Sequence, residues 1–164
     1  MTDPIQPDPG HSEDSELTER VEYRLERRYE VAATPEQVWD AIATAEGIAT
    51  WMVPTRLEPR VGGEVSFDVG AFESTGVVTD YTPTRRFAYE EPWPPVGGHD
   101  WSQVTPLATE FLVESTSGGS CVIRVVSSAF GTGADWEREY FDEMVDGWAE
   151  MLDRLVARFA VPAH

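Results

Sequence analysis

The sequence predicts an α+β fold in which an antiparallel sheet packs against one long C-terminal helix. Three observations carry this. Residues 21–31 alternate apolar and polar, several short strand-like runs follow with turn residues between them, and the segment from Asp135 to about Val161 is amphipathic at helical spacing.

In the first strand Val21, Tyr23, Leu25, Tyr29 and Val31 share one face, and Glu22, Arg24, Glu26, Arg28 and Glu30 the other. Arg27 falls on the apolar face. It reads either as a polar group reaching into a cavity, or as a bulge or a snorkelling stem near the strand's end. Thr34-Pro35-Glu36-Gln37 then supplies an N-cap hydroxyl, a proline at the first helical position and a glutamine at the capping-box position, with Val38, Trp39 and Ile42 at helical spacing behind them. Gly47 is expected to interrupt this helix, leaving Ile48 to Met52 for a second short one before Pro54.

Strand-like runs follow at Glu64–Val69, Gly76–Tyr81, Arg86–Glu90, Thr109–Ser115 and Ser120–Ala129. Gly62-Gly63, Gly70, Thr82-Pro83-Thr84 and Ser117-Gly118-Gly119 separate them. Such short spacers imply an antiparallel meander. The connection from Pro92 to Pro106 is too long for a hairpin turn and reads as a lid or binding loop.

In the last segment Tyr140, Phe141, Met144, Val145, Trp148, Met151, Leu152, Leu155, Val156 and Phe159 occupy an arc of about 160°. Arg138, Glu139, Asp142, Glu143, Asp146, Glu150 and Asp153 lie opposite, as a solvated face. Asp135 is the expected N-cap, and Arg154 and Arg158 complement the dipole at the other end. Gly147 inside the helix points to a close approach by a strand or a ligand beside Trp148.

Composition sets the outer limits. Residues 1–18, with three prolines, a glycine and several acids but little apolar surface, read as a flexible acidic tail, and residues 19–164 as a single domain. Thirty acidic against twelve basic residues give a formal charge of −18, which repels phosphate backbones and anionic lipid, so neither nucleic acid nor membrane is an expected partner. Lysine is absent. With no apolar run of about 18 residues and no charged-then-apolar leader, the expected location is the cytoplasm. The single cysteine, Cys121, lies in an apolar run and reads as a buried thiol.

Chemistry is harder to find. Of three histidines, His11 is in the tail, His164 is terminal, and His99 stands beside Asp100 in the long connection, where it reads as a surface residue. No Cys-x-x-Cys or His-Glu-x-x-His occurs, so no metal is expected, and no cofactor. Gly131-Thr132-Gly133 precedes a helix, but Trp136 stands where a dinucleotide fingerprint needs glycine, leaving an ordinary strand-to-helix turn.

The order of elements resembles the helix-grip fold of the START and Bet v 1-like (SRPBCC) superfamily. The run Ala33-Thr34-Pro35-Glu36-Gln37-Val38-Trp39-Asp40-Ala41-Ile42, then Trp51-Met52, Gly62-Gly63-Glu64, Ser128-Ala129-Phe130 and Gly147-Trp148 with Leu152, is similar to the bacterial family related to the activator of the heat-shock protein 90 ATPase. The resemblance implies a curved sheet wrapped around the C-terminal helix and an apolar cavity between them that in many relatives takes hydrophobic molecules. Ser127 stands where many relatives have histidine, so no role of that histidine carries over.

Aromatic residues with polar tips suit such a cavity. The expected ligand-binding residues are Trp51, Phe67, Tyr81, Phe87, Tyr89, Trp93, Trp101, Phe111, Tyr140, Met144 and Trp148. The expected partner is a small hydrophobic molecule, aromatic or lipid-like, gated by the Pro92–Pro106 connection and the turn around Trp51, with no catalytic residue assigned. Two alternatives stand beside it. One is a cyclase, dehydratase or hydrolase working through Tyr89, Arg124 or His99. The other is a chaperone-linked module or a homodimer using exposed tryptophans of the long connection.

Overall fold

The structure, a computed structural model, describes residues 20–93, 98–116 and 118–159. The segment read as a flexible tail lies outside them.

Strand β1 (Val21–Val31) leads into helices α1 (Pro35–Ile42) and α2 (Ala45–Ala49). Then come β2 (Thr55–Leu57), β3 (Glu64–Asp68), β4 (Glu73–Thr82) and β5 (Arg86–Glu91), a single 3-10 turn at Trp101–Gln103, β6 (Leu107–Ser115), β7 (Cys121–Gly131) and helix α3 (Asp135–Ala157). The seven strands form one curved antiparallel sheet in the order β1-β7-β6-β5-β4-β3-β2. This is the helix-grip fold.

Alternation in β1 places Tyr23, Leu25 and Val31 in the core. Its pairing with β7 runs without a break from Val21↔Gly131 to Val31↔Cys121, with Arg27 opposite Val125. Arg27 therefore marks no bulge. It is half-buried, and its guanidinium turns back to donate to the Glu26 carbonyl at 3.0 Å, so the stem snorkels.

The capping box forms as expected. The Gln37 N–H donates to Thr34 Oγ1 at 3.1 Å, and the Thr34 N–H donates to Gln37 Oε1 at 2.9 Å. Gly47, however, lies inside α2 rather than ending a helix. A Cβ there would stand 1.8 Å from the Asp40 carbonyl oxygen, so glycine is what lets α2 pack across the end of α1.

Strand β2 has only three residues and no periodicity to betray it; it exists through its pairing with β3. Pairing likewise starts β4 at Glu73, three residues before the expected Gly76, because Asp68 and Glu73 face each other.

Helix α3 buries Phe141, Trp148, Leu152 and Leu155. Its N-cap position is Ala134, which makes no side-chain cap, and Asp135 is already the first helical residue. Glu137 does the work expected of Asp135. Only 3% exposed, its carboxylate accepts the Thr132 N–H (2.9 Å), the Gly133 N–H (3.0 Å), the Thr132 hydroxyl (2.8 Å) and the Tyr23 hydroxyl (2.9 Å). The turn before α3 is thus an anion cradle that the chain fills with its own carboxylate. Burial works to raise the Glu137 pKa, but these donors outweigh it and leave the carboxyl below its ordinary range. Burial and the bond to this carboxylate push the Tyr23 phenol up to about 12.

Gly147 faces solvent, and nothing lies within 4 Å of where its Cβ would be. No strand approaches it, which corrects the expectation of close strand packing at this glycine. Alanine at this position restores helix propensity without a clash. Gly147→Ala should stabilise the fold by about 1 kcal/mol. A thermal or urea unfolding comparison checks this, and a variant no more stable than the parent contradicts it.

Candidate functional site: a cavity between sheet and helix

The concave face of the sheet carries Phe67 on β3, Ser74 on β4, Tyr89 and Glu91 on β5, and Leu107 on β6. Tyr140, Met144, Trp148 and Met151 face them from α3. Met52, Val53, Val69, Phe72, Pro92 and Trp93 complete a cavity of about 200 Å³ that opens to solvent on one side. A larger cleft of about 660 Å³ runs along the outside near Asp80, Arg85, Arg86 and Glu114. Its central cation, Arg86, is already paired with Asp80 and Glu110.

Six of the expected ligand-binding residues meet at the apolar cavity: Phe67, Tyr89, Trp93, Tyr140, Met144 and Trp148. The other five do not line it. Trp51 is 1% exposed, with its indole N–H bonded to the Ala41 carbonyl at 2.8 Å, and Phe87 and Phe111 are core residues at 0% and 1% exposure. Tyr81 packs edge-on to Trp39 and donates its hydroxyl to the Ala43 carbonyl at 2.8 Å, under the short helices. Trp101 forms a layer behind the wall, stacked on Trp93 with centroids 5.1 Å apart and edge-on to Tyr140.

The connection after β5 is tied down at its far end. Trp93 donates its indole N–H to the Thr105 carbonyl at 2.8 Å, and Thr105 in turn bonds the backbone of Phe130 through its N–H and its hydroxyl. Trp93 and Trp101 are consequently half-buried in each other and in Tyr140, not free on the surface. Each of the two tryptophans is thus partly covered by rings of its own chain. His99 is exposed and stacks parallel on Trp136 at 4.2 Å. Arg124 points away from the cavity and pairs with Glu26 at 2.7 Å.

Glu91 is the residue that sequence reasoning missed. Strand β5 was expected to end at Glu90, but carrying its two-residue period one step further places Glu91 on the face of Phe87 and Tyr89. Its carboxylate accepts the Ser74 hydroxyl at 2.5 Å. Burial pushes the Glu91 carboxyl above the ordinary glutamate range, and the Ser74 bond offsets part of this. Burial also pushes the Tyr89 phenol well above its ordinary value, the nearby Glu91 charge adds to this, and a hydrogen bond with Thr109 partly opposes it. Thr109 and Ser127 share a 2.7 Å hydroxyl bond, so Ser127 serves a polar link across the sheet.

Among the described residues no group of three His, Cys, Asp or Glu side chains gathers as a metal site, and no helix is long and apolar enough to cross a membrane.

The family model described as Activator of Hsp90 ATPase homolog 1-like protein matches residues 32–160. No curated protein matches the chain. Solved structures do. Protein MLL2253 from Mesorhizobium loti is 17% identical with a TM-score of 0.69, over 85% of this chain and 100% of that one. An Aha1 dimer from Colwellia psychrerythraea is 18% identical with a TM-score of 0.67, over 85% and 97%. CalU16 from Micromonospora echinospora is 17% identical with a TM-score of 0.60, over 83% of each. At these identities the likeness is one of fold.

Because the folded pKa of Glu91 lies above the unfolded one, its contribution to stability is complete below the unfolded value and is lost as pH rises through the folded one. The stability of the parent relative to Glu91→Gln should therefore fall as pH rises from about 4. Urea unfolding across a pH series measures the difference, and a difference that does not change with pH contradicts the assignment.

Proposed function

The chain belongs to the Activator of Hsp90 ATPase homolog 1-like family, and we propose that it binds a small, predominantly apolar molecule in the cavity between the sheet and α3. The observation that carries this reading is a solvent-accessible cavity of about 200 Å³ whose walls are predominantly apolar and include six aromatic side chains. Water gains little in such a space, whereas an apolar guest loses its own hydration on entry.

Size narrows the guest. An apolar cavity of about 150 Å³ admits benzene, while drug-sized pockets begin at about 300 Å³. A molecule of one or two rings fits without rearrangement. A sterol or a long acyl chain requires the thioethers of Met52, Met144 and Met151 to move, which unbranched side chains do readily.

Catalysis through Tyr89, Arg124 and His99 has less support. Only Tyr89 faces the cavity, so the three make no acid–base pair there.

The reading is tested by titrating the purified chain with toluene, indane and tetralin while following tryptophan fluorescence, since Trp93 and Trp148 line the cavity, together with thermal unfolding. A guest that binds only the folded state should raise stability by about 2.7 kcal/mol at a hundredfold excess over its Kd. Met144→Trp, which fills the space, should weaken binding by about tenfold or more while the chain stays folded. The absence of any saturable shift with all three compounds sinks the proposal.

A further inference from the structure

Several other acids of the fold have partners. Asp80 and Glu110 share Arg86, Glu26 is held by Arg24 and Arg124, and Glu137 has four donors. Glu91 is different. Its recorded bond is to the neutral Ser74 hydroxyl, and among the described residues no arginine reaches it. A carboxylate facing apolar surroundings is costly unless a cation compensates it. Among the described residues lining the cavity none is cationic, and Glu91 is the single acid.

The rings of Phe67, Tyr89, Trp93, Tyr140 and Trp148 surround the same space. Aromatic faces attract cations through their quadrupoles, most strongly where water is excluded. The formal charge of −18 adds a field that draws cations toward any opening and repels anions. We infer that the cavity's guest is an organic ammonium, an apolar one- or two-ring body carrying one protonated amine, with Glu91 as its counter-ion and the aromatic walls as its cage.

This rests on the reading of the cavity as a binding site, and it adds the chemical class of the guest. The Glu91 carboxylate pairs with the ammonium, and Ser74 keeps it oriented through the bond it already makes. A fatty acid or other carboxylate is excluded by like charge, although its apolar part fits.

The test uses three probes on one scaffold, namely 2-aminoindane, 2-methylindane and indane-2-carboxylate, each titrated calorimetrically into the full chain at about pH 8, where amine and carboxylates are charged. The expected result is tighter binding of the amine than of the neutral probe by roughly ten- to hundredfold, with the carboxylate weakest. Glu91→Gln should bring amine and neutral probe to within about threefold of each other. The order of affinities in the unmodified chain decides the matter even where Glu91→Gln does not fold. Equal binding of amine and neutral probe, or tightest binding of the carboxylate, overturns the inference and leaves the cavity reading standing. Failure of all three to bind overturns both.

Discussion

The carboxylate of Glu137 fixes where the gripping helix begins, and the cavity follows from that. Its four donors come from β1, through Tyr23, and from the turn after β7, through Thr132 and Gly133. Charge-assisted bonds of this kind are roughly twice as strong as neutral ones. Held there, α3 packs most closely against β1 and stands off from β3, β4 and β5. Side chains span the gap on that side, and those of Phe67, Tyr89, Met144 and Trp148 leave it unfilled. The site is a consequence of how the helix is anchored at the opposite edge of the sheet.

Trp148 joins this open half to the closed one. It is 4% exposed, lies 6.4 Å from Trp51 and 6.1 Å from Phe111 on the core side, and lines the cavity on the other. Behind it α1 and α2 cover the remaining sheet face, with Trp51 tied to the end of α1. Rigid rings with fixed contacts cannot relax inward as a chain of methylenes would, which keeps the space open. On the rim, three methionines supply the adaptable part of the wall.

Most of the architecture was legible in the residues. Capping chemistry located α1, the two-residue period located β1, β3 and β5, and the helical period located α3, because each is a local signal that tertiary packing did not override. The site was legible only in part, and the reason is geometric. Alternation tells which face of the sheet a side chain takes, and Tyr81, Phe87 and Phe111 do share the concave side with Tyr89. It cannot tell which end of the strand a short helix will cover, and these three fall under α1 and α2. Phe72 lies in the turn between β3 and β4, where no period exists. Glu137 looked like one acid among many at a helix start, since the amides that hold it come from a turn whose shape the sequence does not display. Glu91 alone was within reach, one step along the period of β5.

Three of the four methionines, Met52, Met144 and Met151, line the cavity, so the chain carries its own reporters. The most direct measurement is a methyl NMR spectrum of protein labelled with carbon-13 at the methionine methyls, recorded with and without a saturating one-ring or two-ring apolar compound. Occupancy of the cavity moves the signals of Met52, Met144 and Met151 through ring currents and direct contact. A compound that binds yet leaves those three signals unmoved contradicts a site between the sheet and α3.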